Sequence, residues 1–241
     1  MKKISEALLA TFFPTACHLC NQLVETKTSG VVCQSCWDSY LPFEPHKKCQ
    51  KCGYPYLLLE INTIQLKDCT YCRKSLFSLA RACGAYQGAM QASILHLKTS
   101  PYLPEKLFEL IKNTLIQSNI LESVDLIIPI PLHQTRLSER SFNQSELIAE
   151  KISDWAKITL DNASLARIKP TIKHRVGMDK IDRSNSLKGA FEVTRPRLIA
   201  NQIILLVDDI FTTGSTISAA TSQLIKAKAK EVRVFTLART V

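Results

Sequence analysis

The sequence predicts an α/β fold: an open, mainly parallel sheet flanked by helices, with a small cysteine-bearing module ahead of it. Three observations predict it. Ile203 to Val207 is an unbroken apolar run, the pattern of a strand buried on both faces of a parallel sheet. Val124-Asp-Leu-Ile-Ile-Pro-Ile-Pro131 is a second such run, with its prolines at the exit end, where ladder donors matter less. Eight of the nine cysteines fall in the first third, as four Cys-x-x-Cys pairs. At 241 residues, 46% hydrophobic and 22% charged, the chain can bury a core and has room for one generous domain with an appended module.

Taken in order, Met1 to Pro14 sets Lys2 and Lys3 before Ile4, Ala7, Leu8, Leu9, Phe12 and Phe13. Glu6 interrupts this apolar stretch and no small-x-small cleavage site follows before Cys17, so the expectation is a short docking helix on an unprocessed, cytoplasmic chain. No apolar run approaches the roughly 20 residues that a membrane span needs. The cysteine pairs are Cys17/Cys20, Cys33/Cys36, Cys49/Cys52 and Cys69/Cys72, separated by 12, 12 and 16 residues. Each knuckle presents two thiolates at one vertex, and two knuckles complete the tetrahedron that zinc requires. Four knuckles make two closed, structural zinc sites. A disulfide framework is the alternative, and reduced cytosolic thiols argue against it. Sequential pairing is the simplest, and spacing alone leaves an interleaved pairing open.

Ala82 to Gly88 reads as a strand and turn, and Met90, Ile94, Leu95 and Leu97 as a helix ending at Lys98. Pro101 and Pro104 break the chain before an amphipathic helix over residues 105–117. After the strand at 124–131, a loop carrying Arg136 and Arg140 opens a helix whose apolar stripe is Leu147, Ile148, Ile152 and Trp155. Its start is capped either by Ser141 with Gln144 or by Asn143 with Glu146. Net charge is +10, and the segment 167–197 holds nine Lys/Arg against three acids, over half of that surplus. Such charge suits nucleic acid or phosphorylated metabolites, or simply a solvated loop. A last strand covers residues 231–237.

Beyond the run at 203–207 stand Asp208 and Asp209, at the expected strand end, and then Thr212, Thr213, Gly214, Ser215 and Thr216 before a helix. Small hydroxyl residues around a glycine at a helix N-terminus offer N–H groups to a phosphate. Two acids would repel phosphate alone, but they suit the hydroxyls of a sugar phosphate or a metal-bound pyrophosphate. No Gly-Lys-Ser/Thr follows, so this is not a Walker loop.

This strand-Asp-Asp-x-x-Thr-Thr-Gly-Ser-Thr arrangement resembles the phosphoribosyl pyrophosphate (PRPP) motif of type I phosphoribosyltransferases. With Pro-Ile-Pro-Leu-His-x-x-Arg-Leu-x-x-Arg-x-Phe-Asn-Gln from Pro129, Arg183 to Phe191, and the four knuckles, nearly the whole chain is similar to the ComF family. The resemblance implies a double zinc-ribbon module over residues 1–75 and a type I phosphoribosyltransferase-like domain over residues 76–241. It implies that Asp208 and Asp209 form the catalytic pair and, with Thr212 to Thr216, bind PRPP and its Mg²⁺. Arg136, Arg140, Lys98, Lys173, Arg175 and Arg183 would hold pyrophosphate or a DNA backbone. In phosphoribosyltransferases the basic segment is a loop that folds over ligand; here His174 and Gly177 stand where the family commonly has Gln and Leu.

Two functions follow from the resemblance. One is single-stranded DNA binding during uptake in bacterial natural transformation, with Phe142, Trp155, Tyr71 and Trp37 as stacking candidates. The other is phosphoribosyl transfer from PRPP to an unidentified nucleophile. A third possibility is recruitment of a DNA-uptake helicase or recombination proteins by the ribbons.

Overall fold

The computed structural model describes residues 15–43, 47–55, 69–170 and 189–241. In chain order its elements are α1 (Gln34–Asp38), β1 (Leu79–Ala85), α2 (Gly88–Leu97), α3 (Glu105–Ser118), β2 (Leu126–Pro129), α4 (Gln134–Arg140), α5 (Gln144–Ala156) and β3 (Thr159–Leu160). There follow β4 (Leu165–Arg167), β5 (Phe191–Val193), α6 (Pro196–Ile199), β6 (Ile203–Phe211), α7 (Ser215–Lys226) and β7 (Glu231–Arg239). The main sheet has the order β1-β7-β6-β2-β3 and every pairing in it is parallel.

The apolar run at 203–207 lies in the middle of this sheet and is buried on both faces. Ile203, Leu205 and Val207 share a core with α2, α3 and α5, whereas Ile204 and Leu206 pack with α7 and the β4–β5 pair. β6 does not end at the acids. β7 continues alongside it, pairing Asp208 with Thr236, Ile210 with Ala238 and Phe211 with Arg239, so the strand runs to Phe211. Trp155 departs from the expected stripe of α5: it is 38% exposed, and Ala149 completes the buried face with Ile148 and Ile152. Trp37, a stacking candidate in sequence, is a core residue whose indole N–H donates to the Ser29 carbonyl at 3.2 Å.

Both ribbons meet the free edge of β1. The Ala80 N–H donates to the Lys51 carbonyl at 2.7 Å, and Pro42 bridges to Gly84. The Tyr40 hydroxyl donates to the Cys83 carbonyl at 2.5 Å, and a Cβ on Gly84 would lie 2.7 Å from the Tyr40 ring. An edge strand otherwise offers unpaired backbone to other chains, and the ribbons cover it. The first ribbon shares the core of one sheet face through Val31, Val32 and Trp37. The second shares the other through Cys49, Cys52 and Cys72. Among the described residues no helix is long and apolar enough to cross a membrane.

Candidate zinc centres and candidate ligand cleft

The eight knuckle cysteines fall into two clusters in sequential pairing, Cys17/Cys20/Cys33/Cys36 and Cys49/Cys52/Cys69/Cys72, with all sulfurs of a cluster within 4.8 Å of one another. All nine cysteines are free thiols. Four sulfurs about 2.3 Å from a tetrahedral zinc stand about 3.8 Å apart. Here Cys20 and Cys33 are separated by 3.5 Å, Cys49 and Cys72 by 3.7 Å, and Cys52 and Cys69 by 3.7 Å. The turn amides support the thiolates: the N–H groups of Leu19 and Cys33 donate to the Cys17 sulfur, and that of Cys52 to the Cys49 sulfur. Burial pushes the Cys17 thiol up, but those amides outweigh it and bring the group down to about 6. The Cys49 thiol, hydrogen-bonded by Cys52, falls to about 4. The donor set fits zinc, and four protein ligands leave no open position, so both sites are structural.

A cleft of about 270 Å³ opens where β2 and β6 end. Its construction begins at Asn143, whose side-chain amide donates to the Ile130 carbonyl at 3.0 Å while its oxygen accepts from the Ser145 N–H at 3.1 Å. Of the two capping patterns in the sequence, the Asn143 half of one forms and fastens the N-terminus of α5 to the end of β2, while its expected partner Glu146 accepts instead from the Asn162 side-chain amide at 2.8 Å. Ser141 instead closes α4 in a left-handed conformation, φ 65°. The Ser145 hydroxyl then donates to Asp208 Oδ1 at 2.9 Å, and the Asp209 N–H donates to the same oxygen at 2.9 Å.

Asp208 lies deep among protein atoms with only an edge toward solvent. Burial, then the neighbouring Asp209 carboxylate, push its carboxyl up to about 7. Lys98 Nζ stands 3.9 Å from Asp209 Oδ2. Arg136 and Arg140, one turn apart on α4, also line the cleft. The His133 side chain caps that helix by accepting from the Thr135 N–H at 3.3 Å. The loop before α7 turns at Gly214, φ +76°, where a Cβ would lie 2.6 Å from the Phe211 ring.

The cleft therefore gathers Asp208, Asp209, Lys98, Arg136, Arg140, Thr212 and Thr216. Thr213, Gly214 and Ser215 form the turn beside it rather than its lining, with the Thr213 and Ser215 hydroxyls 2.8 Å apart. Lys173, Arg175 and Arg183 lie outside the described residues, as do His174 and Gly177. Sequence reasoning missed three polar residues of the lining, Arg167, Gln144 and Ser145. Arg167 had been one charge in a basic run. The signal was the apolar Leu165 just before that run and Phe191 within it, where β4 pairs with β5 and brings Arg167 into the cleft with Asp208. Gln144 is 3% exposed, and its side-chain N–H₂ has no hydrogen-bond partner among the described residues.

The comparisons agree with this architecture. The model of the phosphoribosyl transferase domain matches residues 142–240, and that of the double zinc ribbon domain matches residues 8–72. Competence protein F of Haemophilus influenzae is 35% identical over 120 residues, 49% of this chain and 52% of that protein. DNA utilization protein YhgH of Escherichia coli O157:H7 is 34% identical over 121 residues, 50% of this chain and 52% of that protein. Competence protein ComFC of Bacillus subtilis is 35% identical over 118 residues, 47% of this chain and 44% of that protein. The chain spans about half the length of the curated relatives it matches. Fold, cysteine clusters and domain matches define a phosphoribosyltransferase-like α/β protein with an N-terminal double zinc ribbon. In both of its parts the chain is similar to the competence proteins of the ComF family.

Proposed function

We propose that this protein binds single-stranded DNA during DNA uptake in natural transformation, in the cytoplasm, through a cleft that also accepts Mg²⁺-bound PRPP. The observation that carries the reading is the cleft itself, where two carboxylates stand beside the phosphate loop and face Lys98, Arg136, Arg140 and Arg167. In that reading Asp208 and Asp209 accept hydrogen bonds from the ribose hydroxyls, and the loop from Thr212 to Thr216 takes the 5-phosphate. The arginines of α4 take the pyrophosphate or, in its place, backbone phosphates. The names of the relatives, competence and DNA utilization, support a role with DNA. So does the basic surplus of residues 167–197. Eight cysteines gathered as two zinc-type clusters rather than as disulfides support a reducing compartment. A helicase or recombination protein is the class of protein partner that such a role requires.

A labelled oligonucleotide titrated across a salt series, with and without Mg–PRPP, tests this. Binding should fall steeply with salt and be displaced by Mg–PRPP, and Asp208→Asn with Asp209→Asn should abolish the displacement. Absence of binding at low salt would overturn the DNA reading.

One observation favours a second reading, phosphoribosyl transfer from PRPP to a nucleophile. A carboxyl held at about 7, as in Asp208, is matched to accept a proton near neutral pH. Release of pyrophosphate on adding candidate nucleophiles would establish it.

A further inference from the structure

Arg239, at the end of β7, is 3% exposed, yet no carboxylate pairs with it among the described residues. One guanidinium N–H donates to the Cys52 carbonyl at 2.7 Å, while its Nε is buried without a partner. The guanidinium carbon stands 5.1 Å from the Tyr54 ring centroid and 4.0 Å from that of Phe211. Tyr54 in turn stacks on Tyr71, which sits between Cys69 and Cys72, at 3.7 Å and 15°. A buried cation needs a counter-charge. The second cluster supplies one: Cys52, whose carbonyl accepts from Arg239, also feels the guanidinium's charge through its sulfur, and four thiolates on one zinc leave two net negative charges. At the other end, the Phe211 ring fills the space against Gly214, at the turn of the phosphate loop. The column Tyr71, Tyr54, Arg239, Phe211 thus runs unbroken from zinc ligands to that loop.

We propose that Arg239 is a positioning residue that couples the second zinc cluster to the phosphate loop, so that losing this zinc loosens the loop. Zinc removal breaks up the charge that holds the guanidinium, and Phe211 loses the cation that packs against its face. Among the described residues no comparable column joins the first cluster to the loop, its ring contact running instead from His18 to His96 on α2, so its loss should spare the loop. The proposal gives the ribbon a regulatory hold on the cleft, and its ligand consequence rests on the PRPP reading above.

Hydrogen exchange of the peptide spanning residues 211–217, followed by mass spectrometry on the full chain, tests it without a ligand. Arg239→Met, with zinc content checked, should speed exchange there by about tenfold. Cys69→Ser should do the same, Cys20→Ser should not, and Arg239→Lys should lie between wild type and Arg239→Met. Wild-type protection in an Arg239→Met protein that holds both zinc ions would overturn the proposal. If that variant does not fold, Phe211→Leu breaks the same contact, and unchanged protection in it would overturn the proposal equally. In a second arm, Mg–PRPP should slow zinc release from the second cluster to a chelator, since coupling is reciprocal. A wild-type protein that binds no Mg–PRPP would sink the reading of the cleft and leave the exchange result standing.

Discussion

Asp208 shows how one residue sets function against stability. Its carboxyl rises from 3.8 to about 7 because burial and the Asp209 carboxylate both disfavour the charged form. Below about pH 4 the folded and unfolded states are both protonated there. Between 4 and 7 the unfolded chain loses the proton and the folded one keeps it, so folding stability falls as pH rises through that window. Above 7 the penalty is complete. Asp208→Asn keeps an oxygen to accept from Ser145 and from the Asp209 N–H. It should therefore stabilise the protein at pH 8 by on the order of 2 kcal/mol, about 5 °C in Tm, and by nothing near pH 4. Thermal melts of both proteins at the two pH values check this, and an equal effect at both would show that burial is not the cause. At this scale the sequence was legible where chemistry is contiguous: Asp208, Asp209 and the hydroxyl loop stand within nine positions. Arg167 and Gln144 were not legible, because a single charge or amide carries no signal until a hairpin or a helix start aims it at the acids.

At the scale of elements, the strand-turn-helix from Ile203 to Lys226 was legible from its unbroken apolar run and its glycine. What could not be read was where β6 stops, since that depends on β7 staying in register as far as Arg239. The two-residue β3 and the three-residue β4 and β5 were equally hidden, being too short to show a period. That extra length of β6 has a consequence, for it carries Phe211 to the phosphate turn. Gly214 sits at φ +76° with the Phe211 ring 2.6 Å from where its Cβ would be. Alanine there meets both a left-handed backbone and a clash, so Gly214→Ala should cost about 2–3 kcal/mol. It should also weaken Mg–PRPP binding at least about tenfold. Because half of that cost is the ring, the double variant with Phe211→Leu should cost less than the two single variants summed. Urea unfolding of the three proteins measures this, and strict additivity would mean that the ring yields freely.

For the molecule as a whole, zinc acts beyond the ribbons that bind it. The cysteine spacing announced two closed sites, and the structure adds what they lean on. Cys17 and Cys33 belong to the core beneath α2 and α3, while Cys49, Cys52 and Cys72 belong to the core beneath α7. Both ribbons also cover the outer edge of β1, through Lys51 to Ala80 and Pro42 to Gly84. A ribbon that owes its fold to metal collapses without it, so removal should strip apolar surface from both sheet faces and bare a seven-residue parallel edge strand. Chelation should therefore lower the Tm of the entire chain by about 10 °C or more, in one transition, rather than melt an independent N-terminal unit. The exposed edge should also make the apo protein self-associate. Calorimetry and light scattering before and after chelation measure both effects. A main transition that keeps its midpoint while a small early one disappears would show that the α/β sheet stands without its ribbons, and that the shared cores contribute little.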